Sequence, residues 1–178
     1  MAQTSWQLDP AHSEVTFRVR HLMVSNVSGK FKTFNSTVAT QDDDFSTAQI
    51  DFTVDTASID TGVEYRDNHL RGDDFFNSEL FPTLHFKATG MKKTGDGEFQ
   101  LDGDLTIRDI TKPVSLQVEM GGVVKDPYGN IKAGFEVTGK INRREFGLLW
   151  SALTEAGGAV AGDEVKFQAN VQYAKVVA

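Results

Sequence analysis

The twelve residues YRDNHLRGDDFF, Tyr65 to Phe76, hold two arginines, one histidine and three aspartates and end on two phenylalanines. A histidine among carboxylates can move protons, and the same residue types can ligate a metal. Spacing argues against proton transfer. On a helix Asp67 and His69 project about 200° apart. Tyr65, Arg66 and His69 share one turn, while Asp67 reaches Arg71 at i+4, a pair that supports a helix by ~0.2–0.5 kcal/mol. The cluster therefore reads as the solvent face of a short helix. Phe75 and Phe76 are expected to turn inward and hold that helix over an apolar interior.

Other chemistry finds little support. The four histidines, His12, His21, His69 and His85, form no H-x-x-x-H or H-x-H pair, so no metal is expected. Cysteine is absent, which removes disulfides, thiolate nucleophiles and thiolate metal sites together. Ser13 follows His12 without a G-x-S-x-G elbow. The glycines at 157, 158 and 162 do not join a strand to a helix as a phosphate loop requires. No catalytic residue and no cofactor is expected.

The elements that would carry these residues are strands. EVTFRVRH (14–21) alternates Val15, Phe17, Val19 and His21 with polar residues, the period-two mark of a half-buried strand. The pattern recurs with Ile50, Phe52 and Val54; with Phe99, Leu101, Leu105 and Ile107; and with Val114, Leu116, Val118 and Met120. It returns with Ala133, Phe135, Val137 and Ile141, and with Val165, Phe167, Ala169, Val171 and Tyr173. Ser5–Leu8, Gly29–Thr40 and Thr83–Met91 are less regular, giving eight or nine strands. Turn chemistry lies between them in TGDG (94–97), RDITKP (108–113) and DPYGN (126–130). Pro113 fits only a strand start or edge.

Short links between so many strands imply an all-β, up-and-down antiparallel barrel of about eight strands with one or two short helices. Thr61-Gly-Val-Glu64 fits a capping box for a helix over Gly62–Arg71 that stops at Gly72. Asp74 is placed to cap a further turn carrying Phe75, Phe76 and Leu80 before Pro82.

At 178 residues, positions 1–178 are expected to form one domain. With 18 basic and 25 acidic residues, a net charge of −7 and no basic block, nucleic acid is not an expected partner. No run approaches the ~18 apolar residues of a membrane span, so stable membrane insertion is not expected either. MAQTSWQLDP lacks a leader's basic start and apolar run, which points to the cytoplasm, or to the periplasm if a leader has been removed.

Thirteen phenylalanines are more than polar chemistry explains. An eight-stranded barrel is just wide enough to be filled by side chains or to enclose one ligand. FGLLWSAL, with Leu148, Leu149, Trp150 and Leu153 in a segment that turns glycine-rich, favours an apolar tunnel with a greasy lip.

Four ordered stretches, WQLDPAHSEVTFRVRHLMVSNVSGKF (6–31), ASIDTGVEYRDNHLRGDDFFNSELFPTLHF (57–86), GDLTIRDITKPV (103–114) and REFGLLW with GDEVKFQANV (144–150 and 162–171), resemble the YceI-like, or polyisoprenoid-binding, family over nearly the whole chain. The resemblance implies a lipocalin-like barrel that binds a long isoprenoid lipid, a polyprenyl phosphate or an isoprenoid quinone, for storage, transport or sequestration, and implies no enzyme activity. Relatives more often carry glycine at Asp109; aspartate also tolerates a left-handed turn there. By position, Phe17, Val19, His21, Phe52, Phe86, Leu105, Leu116 and Val137 would line the tunnel, with Phe146, Leu148 and Trp150 near its mouth. Arg66, His69, Arg71, Arg143 and Arg144, in the two irregular segments, are the head-group candidates. A homodimer is compatible with this reading. The alternatives are an enzyme acting on such a lipid through His21 or His69, and a filled barrel serving only as an interaction domain.

Overall fold

A computed structural model describes residues 2–21, 24–149 and 161–176, with the backbone alone described for His21 and Ala161. The alternating stretches form strands: β1 (Gln3–Leu8), β2 (Glu14–His21), β3 (Ser25–Phe31), β4 (Phe34–Gln41), β5 (Asp44–Asp55), β6 (Ile59–Asp60), β7 (Thr83–Gly95), β8 (Glu98–Ile107), β9 (Ile110–Lys125), β10 (Ile131–Asn142) and β11 (Ala161–Lys175). One helix, α1 (Glu64–Arg71), lies between β6 and β7.

Eight strands, in the order β1, β4, β5, β7, β8, β9, β10 and β11, close into an antiparallel barrel when β11 pairs back onto β1, Leu8 opposite Tyr173 and Trp6 opposite Lys175. β2, β3 and β6 extend three of these staves beyond a break. β11 continues onto β2, with Phe167 opposite Phe17; β2 pairs with β3, and β3 with β6. The expected single strand Gly29–Thr40 is thus two strands bent at Lys32–Thr33. The bend is pinned from elsewhere: Lys32 N–H donates to Ser58 O at 3.1 Å and Asp55 N–H to Thr33 O at 3.0 Å. The break between β1 and β2 is pinned to β11, because Asp9 N–H donates to Gln172 O and Gln172 N–H to Ser13 Oγ.

β6 is two residues long and pairs with β3 only, so at this end the wall is completed by α1 and residues 72–82. The helix departs from expectation in three ways. It starts at Glu64 with Val63 as an uncapping N-terminal residue, and no capping box forms. Thr61 instead donates its N–H and hydroxyl to Asp67 Oδ1, at 2.8 and 2.5 Å, which buries Asp67 to 6% exposure and removes it from both the solvent face and the Arg71 pair. Arg71 donates to the carbonyls of Ala57 and Ile59. Asp74 caps no turn and accepts from His69 Nε2 at 2.9 Å.

The left-handed residue in the β8–β9 turn is Arg108, φ 56°, and not Asp109. Its guanidinium supplies a reason, donating to the carbonyls of Asp73 and Phe75 at 3.1 and 2.9 Å and lying 5.5 Å from the Phe81 ring centroid. Pro113 sits within β9 on a stretch that β10 does not reach, where its missing N–H breaks no ladder bond.

The opposite end is plugged by rings. Phe45 lies 4.8 Å from Trp6 and 4.9 Å from Phe135, which lies 6.2 Å from Tyr173. The polar atoms of this plug are paired: Trp6 Nε1–H donates to Thr40 Oγ1, Tyr173 O–H to Ser36 Oγ, and Ser36 O–H to Asp51 O.

Burial pushes the Tyr173 hydroxyl up to about 12. Since this lies above the unfolded value of about 10, the group contributes stability that is complete below pH 10 and lost as pH rises through about 12. At about 1.4 kcal/mol per unit the loss approaches ~3 kcal/mol. In urea titrations Tyr173→Phe should be about 1 kcal/mol less stable than wild type at neutral pH, and its midpoint should fall less steeply than the wild type's between these two pH values.

Candidate functional site: an apolar two-chambered lumen

The inward-facing rows enclose two cavities. The deeper, of about 140 Å³, lies above the ring plug and is bounded by Val38, Phe45, Phe52, Phe86, Met91, Leu101, Leu116, Val118, Phe135 and Val137. The second, of about 160 Å³, lies at the α1 end among Phe17, Val19, Phe31, Ile59, Leu70, Phe75, Phe76, Ile107, Ile141, Leu148 and Val165. Val15, Val54, Leu84, Leu105 and Phe167 border both, so the chambers adjoin through a waist made by these five side chains. Essentially no polar surface faces either void.

Register explains the lining. Phe52, Phe86 and Leu105 are directly opposed across β5, β7 and β8, as are Leu101 and Leu116 across β8 and β9, and Val118 and Val137 across β9 and β10. Each such row points one way because opposed residues share a face.

The charged candidates have partners around the lumen. Arg66 donates from Nε to Thr61 Oγ1 at 2.8 Å and from Nη2 to Thr61 O at 2.9 Å. His69 bonds Asp74 and sets its ring edge-on to Phe75, centroids 5.2 Å apart. Arg143, 2% exposed, follows β10 in the short turn Arg143–Phe146 and donates to Leu148 O at 2.6 Å and Gly162 O at 2.8 Å. Burial pushes its pKa down, as does Arg144, while Asp163 opposes them. Arg143 borders the α1-end chamber without presenting polar surface to it. Arg144 is exposed and bonds Asp163 at 2.7 Å. Among the described residues no group of His, Asp or Glu is arranged to hold a metal, and no helix is long and apolar enough to cross a membrane.

The sequence profile of the YceI-like domain matches residues 6–173. The chain belongs to the YceI-like family. A UPF0312 protein of Staphylococcus aureus strain USA300 is 39% identical over 171 residues, 96% of this chain and 97% of that protein. The crystal structure of the Campylobacter jejuni YceI protein is similar with a TM-score of 0.76 at 31% identity, covering 89% of this chain and 90% of that one. Burkholderia cenocepacia BcnA shares the fold at a TM-score of 0.80 and 21% identity, over 93% and 98% of the two chains. A polyisoprenoid binding domain from Saccharophagus degradans shares it at 0.71 and 13%, over 96% and 98%.

Within this YceI-like barrel the residues singled out by sequence fall as follows. Phe52, Phe86, Leu116 and Val137 border the deep chamber, Phe17, Val19, Phe75, Phe76 and Leu148 the α1-end chamber, and Leu105 both. Phe146 is 1% exposed but borders neither: it packs within the main core cluster. Trp150 and the side chain of His21 lie outside the described residues. Sequence reasoning missed Phe31, Ile59, Leu70 and Leu84 as chamber walls. Three of these stand in or beside irregular segments, where no period marks a face; Leu84 opens a strand whose alternation is weak.

Arg143 and Arg144 should respond differently to replacement. Arg143→Met keeps an apolar stem but leaves the carbonyls of Leu148 and Gly162 without their donor, and should lower unfolding free energy by about 2–3 kcal/mol. Arg144→Ala removes an exposed ion pair and should cost under about 1 kcal/mol in the same denaturant titration.

Proposed function

We propose that this protein binds a long isoprenoid lipid with its tail in the two chambers and its head at the α1 end, and acts by holding or carrying that lipid rather than by converting it. The carrying observation is the pair of adjoining apolar voids. Protein interiors leave few gaps larger than a water molecule. At roughly 24 cal/mol per Å³ of unfilled cavity, voids of about 140 and 160 Å³ represent a destabilisation on the order of 7 kcal/mol. That is comparable with a domain's entire stability of about 5–15 kcal/mol. An apolar ligand removes this penalty while its own surface leaves water at ~25 cal/mol per Å².

The shape of the lumen supports a chain-like occupant: two chambers in series, joined by a waist, suit a flexible tail better than one rigid ring system. Family membership and the shared fold of a polyisoprenoid binding domain point the same way. Val24, 80% exposed at the turn between β2 and β3, and Leu149, 57% exposed after the Arg143–Phe146 turn, add exposed apolar surface on segments next to the chamber-lining Val19 and Leu148. Arg66, Arg71, Arg108, Arg143 and Arg144 lie at the α1 end, and they donate hydrogen bonds to the protein's own carbonyls and to Thr61, Asn68 and Asp163. We therefore read the tail as the determinant of affinity, with an uncharged head such as a quinone sufficient.

Two measurements test this. Mass spectrometry of organic extracts from protein purified in its native host should show a co-purifying isoprenoid, and a reproducibly empty protein would overturn the proposal. Farnesol and farnesyl phosphate should bind within about threefold of each other, a difference of under ~1 kcal/mol. A tenfold preference for the phosphate that disappears in Arg144→Ala would restore a charged anchor.

A further inference from the structure

Gly139 stands on the inner face of β10, between the inward residues Val137 and Ile141, directly opposite Phe167 of β11. Its φ is not in the left-handed region, so its backbone does not require glycine. Glycine inside a strand sacrifices packing and order and marks a close approach by another group. That group is identifiable here. A Cβ at 139 would stand 2.6 Å from Phe167 Cζ, 3.1 Å from Phe167 Cε2 and 2.6 Å from Leu116 Cδ2. The Phe167 ring therefore lies down against the wall in the space that a side chain at 139 would take.

The same device recurs twice. Phe17 lies over Gly29, opposite it on β3, with 2.5 Å from a Cβ to its Cζ, and Phe86 lies over Gly103 with 2.4 Å. Of these three rings Phe167 borders both chambers, whereas Phe17 borders the α1-end chamber and Phe86 the deep one. The Phe167 ring thus stands at the junction of the two voids.

We propose that Gly139 and Phe167 set the bore between the chambers and thereby the length of tail the barrel accepts. The inference rests on the reading of the lumen as a lipid site. A methyl group at 139 cannot coexist with the flat ring, and it also overlaps Cδ2 of Leu116, which is 6% exposed and packed in the core. The ring must swing into the waist. A short prenyl chain then still fits the α1-end chamber, and a longer one loses the deep chamber.

The test is equilibrium binding of tritiated geraniol, farnesol and geranylgeraniol to wild type, Gly139→Ala, Phe167→Ala and the double variant. Wild type should gain affinity with each added isoprene unit. Gly139→Ala should hold geraniol within about twofold and lose at least about tenfold on geranylgeraniol, and the double variant should regain the longer ligand. Equal losses at all three lengths, or a Gly139→Ala defect that persists when Phe167 is alanine, would overturn the proposal. A crystal structure of Gly139→Ala reads the steric step without any ligand: the Phe167 ring should occupy the waist, and a ring still flat against the wall would refute the bore. If wild type bound no prenol of any length, the lipid reading would fall, while this crystal structure would still decide the waist.

Discussion

The barrel depends on β11. At fifteen residues it pairs along one side with β10 for eleven residue pairs, and along the other it serves two shorter strands in turn, β2 between Ala161 and Asn170 and β1 through its last three residues. Without that double service β1 and β2 would be separate edges, each with a row of unpaired N–H and C=O groups. The break between them is tolerable because β11 supplies the bonds that hold it, through Gln172 on both sides of the Pro10–His12 turn. Closure then fixes the diameter, and at eight strands a diameter too wide for full side-chain packing is within reach. Glycine at 29, 103 and 139 decides the rest, because rings that lie along the wall leave the axis open.

The two ends are held by different physics. At the plugged end, aromatic contacts between Trp6, Phe45, Phe135 and Tyr173 are reinforced by buried hydrogen bonds to Thr40 and Ser36, each satisfied on to a backbone carbonyl. At the α1 end the wall is a composite of short pieces tied by individual side-chain bonds: Asp67 to Thr61, Arg71 to the carbonyls of Ala57 and Ile59, Arg108 to those of Asp73 and Phe75, Arg143 to those of Leu148 and Gly162. Three arginines thus do at this end what ladder bonds do elsewhere. Arginine suits the task, since its fork of donors can satisfy two carbonyls from one side chain.

How much of this could be read from sequence follows from where each bond's partner lies. The walls of β8, β9, β10 and β11 were legible because alternation is a local signal, and Leu116 and Val137 follow from parity alone. The bend at Lys32–Thr33 was not, because the atoms that make it belong to Asp55 and Ser58. Asp67 has the composition of a surface residue and became buried because Thr61, six positions earlier, turns both of its donors onto it. Phe146 has the right composition for a lip, but its turn buries it in the core while Leu148 borders the chamber. Gly139 gave no signal in AGFEVTGKI beyond its own smallness, and its role depends on a ring from another strand.

The contrast between the ends bears on how an occupant enters. Local opening follows the regions with fewest cooperative bonds, and continuous ladders open last. Passage through the plugged end would require separating four packed aromatic residues and leaving Thr40 and Ser36 without their partners. Among the described residues, the bonds that hold the α1 end are individual ones on residues 72–82 and around Arg143, which can be exchanged with ladder pairing left intact. The ligand's own surface can replace the apolar contacts of Phe75, Phe76 and Leu148 as they move. On the proposed reading, a tail that entered there would meet the α1-end chamber first and the Phe167 waist second.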